Sequence, residues 1–126
     1  MNLQWIKCGF PNKPEYWCQL LFFNIDHENL DNFEGVYVIW HGGEEPIRQR
    51  IVRVGQGKIR ERLKEHKEDE EILAFKPKGL YVTWAAVDGR SRDGVERYLG
   101  DTLNPKTPKK DKRFPDATPI RVNLPW

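Results

Sequence analysis

The chain has 126 residues, 32% of them charged, with a net charge of +2 and a mean hydropathy of −0.76. This length suits one domain with an ordinary core. No apolar run is long enough to span a bilayer, and Met1-Asn2-Leu3-Gln4-Trp5 lacks the basic-then-apolar order of a secretory signal, so a cytoplasmic protein with no membrane role is expected.

The charge is unevenly spread. Residues 11–34 set Lys13 against Glu15, Asp26, Glu28, Asp31 and Glu34. Residues 47–66 set Arg48, Arg50, Arg53, Lys58, Arg60, Arg62 and Lys64 against Glu61 and Glu65, and a second basic run spans Lys106 to Arg113. A local basic face suits a polyanion better than the total charge suggests. Cys8 and Cys18 read as buried free thiols, because even with His27 and His41 their spacing matches no zinc module.

Residues 1–34 form an N-terminal arm. Trp5, Phe10, Tyr16, Trp17 and Leu20 to Phe23 are too apolar for a free tail, and Leu20 to Phe23 is expected as a strand or buried segment. Pro11, Pro14 and the stretch Asn24 to Asn32 mark loops. The first core strand follows at Val36 to Trp40, with Val36, Val38 and Trp40 on one face and Tyr37 and Ile39 on the other. A turn at His41-Gly42-Gly43 and a charged loop closed by Pro46 lead to a second strand, Ile47 to Val54. Strict alternation puts Ile51 with Arg53, and Arg50 with Val52 and Val54; a hairpin register then permits Tyr37 and Arg53 on one side.

Gly55-Gln56-Gly57 reads as a turn feeding a helix from Lys58 to His66. Ile59 and Leu63, four apart, face inward; Lys58, Arg62 and His66 form a cationic stripe beside them, and Arg60 and Lys64 fall on the solvated side. A short helical segment, Lys67 to Phe75, is ended by Pro77 and Gly79. Leu80 to Val87 is rich in β-branched and aromatic residues and predicts a strand. From about Arg92, Val95, Tyr98, Leu99 and Leu103 recur at helical spacing until Asn104-Pro105, with Glu96 beside the apolar stripe. The chain closes with a basic, proline-interrupted loop and an extended strap whose Ile120, Val122, Leu124 and Trp126 can bury one face.

In this order the elements resemble the GIY-YIG nuclease family. Gly35-Val36-Tyr37 is similar to its first motif, and Arg53-Val54-Gly55 sits where the second falls. Ile59 to His66 resembles the first helix, with an arginine one turn before a histidine. Glu96, followed by Leu103-Asn104-Pro105, resembles the metal-binding glutamate and its helix end. The resemblance departs from the family at Arg53, where a tyrosine opens the second motif, and at Gln56, where a lysine is common. It departs again at Pro108, where an asparagine is expected, with Asn104 or Asn123 as substitutes.

The resemblance implies an α/β (α+β) fold with a small, mainly antiparallel three-stranded sheet flanked by helices. It makes residues 1–126 a single domain, with an arm (1–34), a core (35–108) and a strap (109–126). It implies a metal-dependent endonuclease with Mg²⁺ or Mn²⁺ on Glu96, and Tyr37, Arg62, His66 and Glu96 as catalytic residues. Arg53, Gln56, Lys58, Lys109 and Lys110 are the expected substrate contacts. DNA is favoured over RNA as substrate, with specificity from the basic loop, a partner protein or a homodimer. Two other readings stand beside it: a binding module of the same fold that has lost cleavage, and a small interaction protein using its aromatic arm.

Overall fold

The computed structural model describes residues 1–8, 17–109 and 114–126. The expectations for Phe10, Pro11, Pro14, Tyr16 and Lys110 lie outside the described residues.

The chain is α+β. Four antiparallel strands, β1 (Cys18–Gln19), β2 (Glu34–His41), β3 (Ile51–Lys58) and β4 (Leu80–Ala86), are ordered β1-β4-β2-β3. Among the described residues three helices accompany them: α1 (Ile59–His66), α2 (Glu70–Leu73) and α3 (Arg92–Leu103). The expected three-stranded core is β4-β2-β3, and the arm adds the two-residue edge strand β1.

β2 is central and buried from Gly35 to His41, which suits its near-continuous apolar run. Tyr37 and Ile39 pack with Val82 and Trp84 of β4, Ile59 and Leu63 of α1, and Ile72 of α2. Val36, Val38 and Trp40 face Val95, Leu99 and Leu103 of α3 and Val122 of the strap. Ile59 and Leu63 are fully buried, each contributing about 2 kcal/mol. The apolar stripe of α3 fixes the other layer, and α3 ends where Asn104 turns left-handed at φ 46° ahead of Pro105.

Several expectations are corrected. β3 begins at Ile51, because Ile47–Gln49 forms a 3-10 turn behind Pro46. Gly55-Gln56-Gly57 is not a turn: the three residues pair with Tyr37, Val36 and Gly35, and β3 runs directly into α1. A register shift between Ile39 and Trp40 sets Arg53 opposite Ile39 but Ile51 opposite Trp40. This bulge overrides strict alternation, so Ile51 joins Val54 on the α3 side while Val52 joins Arg53 on the Tyr37 side. Leu20 to Phe23 is a turn rather than a strand, with Leu20 buried and Phe22 exposed. Cys8 and Cys18 are joined in a disulfide, which removes the free-thiol reading.

The arms are tied to the core. Asn123 pairs with the backbone of Leu3 through both ends of its amide, at 2.6 and 3.0 Å. Arg60 is not a solvated residue: it donates to the carbonyls of Ile25 (3.0 Å) and His27 (2.8 Å) and pairs with Asp31 at 2.8 Å. No described helix is long and apolar enough to cross a membrane.

Candidate active site

The site forms where β3, the edge strand, meets α1 and α3. Tyr37 of β2 lies directly opposite Gly55 of β3. A Cβ on Gly55 would collide with the Tyr37 hydroxyl, so the phenol reaches across β3 only because that residue is glycine. The hydroxyl meets His66 Nε2, in the last turn of α1, at 2.5 Å, and both side chains are buried. Burial is the main cause that raises the Tyr37 pKa, and the nearby Arg53 and Arg62 only partly offset it. Burial first, then Arg53, lowers the His66 pKa to about 4 against the opposing pull of Asp69 and Glu65. At neutral pH the phenol is therefore the donor and a neutral imidazole accepts at Nε2, which places the ring proton on Nδ1.

Arg53 lies beneath this pair. Its Nε donates to Thr107 Oγ1 at 2.7 Å, its Nη2 meets Asp69 Oδ2 at 3.1 Å, and its side chain is 14% exposed. Thr107 in turn donates to the Val52 carbonyl at 2.7 Å, and its N–H adds to the same carbonyl at 3.0 Å, so Arg53 stands inside a clamp between β3 and the segment that follows α3. Arg62 differs. Its side chain is 49% exposed, it pairs with Glu65 at 3.2 Å, and it lies over Gly57, whose φ of +131° suits glycine.

Glu96, half-buried in α3, forms the facing wall with Asp93. Gln56 Nε2 donates to Asp93 Oδ1 at 2.7 Å and Glu96 Oε2 at 3.3 Å. Burial is the leading cause that raises the Glu96 pKa; Asp93 acts in the same direction, while Gln56 and Arg62 oppose.

Together these residues line a cleft of about 680 Å³. Tyr37, Arg53, Gln56, Arg62, His66 and Glu96 all face it, and Arg92, Pro108 and Phe114 complete it. Lys58 is exposed at the end of β3 and does not line the cleft. Lys109, also exposed, does not line it either; its backbone N–H bonds Glu71 at 3.0 Å. Pro108 occupies the wall in the place of the expected asparagine. Asn104 is the exposed cap of α3 and Asn123 is held by Leu3, so neither substitutes there.

Two residues escaped the sequence. Asp93 stands three residues before Glu96, a helical spacing that puts both on one face and is readable in principle. Asp69 is not readable: one oxygen caps α2 by accepting from the Glu71 N–H at 2.9 Å while the other takes Arg53. The cleft's charge was not expected either. Among the described residues five carboxylates (Glu34, Glu65, Asp69, Asp93, Glu96) line it against three arginines (Arg53, Arg62, Arg92).

Among the described residues no three His, Cys, Asp or Glu side chains converge as a metal cage. Asp93 and Glu96 nevertheless fit a hard divalent ion. Mg²⁺ takes one or two carboxylates and keeps waters or phosphate oxygens as its other ligands. A cation there would also relieve the burial that strains the Glu96 carboxylate toward its neutral form. No family model, curated protein or solved structure matches the chain.

Proposed function

We propose that this protein is a metal-dependent endonuclease of the GIY-YIG type, hydrolysing phosphodiester bonds in DNA. The observation that carries the reading is the hydrogen bond from Tyr37 to His66 in a cleft that Arg62 enters from one side and Glu96 from the other. Strands, helices and a glycine at position 55 unite residues that the family resemblance singles out.

A buried phenol is a poor base by itself, but its bond to His66 supplies a proton acceptor. As the attacking water gives a proton to the Tyr37 oxygen, the phenolic proton passes to His66 Nε2, leaving hydroxide at phosphorus and an imidazolium at position 66. An anionic substrate beside these groups favours the cationic imidazole, and Asp69 and Glu65 act in the same direction. Arg62, weakly held, presents its planar fork to the non-bridging phosphoryl oxygens. Glu96 with Asp93 would hold Mg²⁺ or Mn²⁺, which would supply charge stabilisation for the phosphoryl group and the leaving oxygen. The ion's charge would also offset a cleft in which, among the described residues, carboxylates outnumber arginines. Arg53, held by Thr107 and Asp69 through Nε and Nη2, acts on the field at Tyr37 and His66 and leaves Nη1 to meet a phosphate in the cleft.

The test is cleavage of labelled duplex DNA, with RNA in parallel, in Mg²⁺ or Mn²⁺ by the native chain and Glu96→Ala. Metal-dependent cleavage by the native chain alone supports the reading, and preference for duplex DNA fixes the substrate. A second reading, a binding module of the same fold without cleavage, draws on the firmly held Tyr37 proton and on Arg53 in place of a tyrosine. Salt-dependent duplex binding by both proteins with cleavage by neither selects it. The nuclease reading places the chain in the cytoplasm and looks to a partner protein or homodimer for specificity. The Cys8–Cys18 bond, of a kind commoner in oxidising compartments, pulls against that location.

A further inference from the structure

The face of the sheet opposite Tyr37 holds a second concentration of chemistry. Trp40 is buried at its centre. Trp17 and Trp126 meet it edge-on, with centroids at 5.4 and 5.2 Å, and Tyr81 stacks on it at 5.9 Å. Between these rings runs a groove of about 410 Å³, closed by Ile47 and Arg50. Trp126 is also a wall of the adjoining hollow, of about 510 Å³, which Arg48, Tyr98 and Arg121 line.

The charge here is the reverse of the cleft's. Among the described residues no Asp or Glu lines either hollow; Glu44 and Glu45 line an adjoining depression that shares Gly42 and Gly43 with the groove. Arg48 and Arg121 are exposed, and no described carboxylate pairs with them. Arg50 is a fixed charge, donating to the carbonyls of Glu45 at 2.9 Å and His41 at 3.2 Å. The Lys7 ammonium stands 4.6 Å from the Trp17 ring.

We propose that this groove binds single-stranded nucleic acid, with bases stacked against Trp126 and its aromatic neighbours and phosphates held by Arg48 and Arg121. Aromatic faces accept any base, and arginines interleaved with them follow the backbone. Among the described side chains this surface carries cations and no Asp or Glu, which complements a polyanion; an apolar partner would leave those arginines without counter-charge. The proposal rests on the nuclease reading for its class of ligand but uses no residue of the cleft. It adds unpaired strand to the substrate, as at a frayed, branched or displaced segment.

The test measures anisotropy of a short labelled oligothymidylate in chelator, using the Glu96→Ala chain as parent so that cleavage cannot intervene. Trp126 is 39% exposed and outside any described strand or helix, so its truncation leaves the fold intact, as circular dichroism verifies. Trp126→Ala is expected to weaken binding at least about fivefold, and Trp126→Phe, which keeps a stacking face, to recover most of it. Neutralising Arg48 and Arg121 together is expected to flatten the salt slope by about 1.4. No binding by the parent, or equal binding by parent and Trp126→Ala, overturns the proposal. The two readings fail separately. Duplex cleavage by the native chain with unchanged oligothymidylate binding by Trp126→Ala sinks the groove and leaves the nuclease. Binding that Trp126→Ala loses, in a native chain that cleaves nothing, sustains the groove and sinks the nuclease.

Discussion

Replacing His66 by glutamine removes a titrating ring while keeping, in the amide oxygen, an acceptor for the Tyr37 hydroxyl. The folded chain holds His66 near pKa 4 through burial and Arg53, against an ordinary 6.5. Its folded-state pKa is depressed, so the neutral form carries the stability. That contribution is complete above the unfolded value and is lost as pH falls from there through the folded one. The full difference is about 3 kcal/mol, most of which disappears between about pH 7.5 and 4.5. Urea melts of the native chain and His66→Gln across that range cancel the other titrating groups to a first approximation, leaving His66 in the difference. The native chain is expected to lose its margin over the variant as pH falls, by about that amount. Two curves that stay parallel within about 0.5 kcal/mol would refute the reasoning. They would mean that the imidazole is not held neutral, and its role as acceptor for the Tyr37 proton would go with it.

Glu96→Ala is expected to lower metal-dependent cleavage at least about 100-fold with duplex affinity kept, measured by turnover and by binding in chelator; equal turnover removes Glu96 from the mechanism. Arg53 and Arg62 should separate. Arg53→Ala breaks a largely buried pair and costs about 2–3 kcal/mol in a urea melt, whereas Arg62→Ala, at an exposed site, stays within about 0.5 kcal/mol and loses turnover. The reverse ranking in stability would show the clamp to be the weaker element. Gly55→Ala pushes a methyl into the Tyr37 hydroxyl, parting it from His66. It is expected to cost about 1–3 kcal/mol and to reduce the pH dependence described above, and an unchanged melting midpoint would show that the strand yields there.

Much of the architecture was legible because it depends on neighbours in the chain. Alternation along Val36 to Trp40 assigned β2's two faces, and both core clusters follow it. The four-residue spacing of Ile59 and Leu63 oriented α1, and with it turned Arg62 and His66 toward one end of the sheet. Asn104-Pro105 marked the end of α3 because an αL-tolerant residue before a proline cannot continue a helix. Tyr37, Arg62, His66 and Glu96 could be named from these periodicities and the family resemblance, and they line one cleft.

What the sequence by itself determined is the central strands and helices and the faces that β2, α1 and α3 bury, since spacings of two and of three to four residues are written in the order of side chains. Only the tertiary structure decided how the strands register and what each polar group meets. The bulge opposite Ile39–Trp40 moves Ile51 and Val52 to faces that alternation denies them. Gly55 and Gly57 stay in β3, against their turn propensity, because cross-strand pairing with Tyr37 and Gly35 outweighs local preference. Arg53 is held by Thr107, 54 residues away, and Cys8 by Cys18. Trp40 brings together Trp17, Tyr81 and Trp126 from across the chain. Such contacts depend on which surfaces close against one another, and local spacing carries no record of that choice.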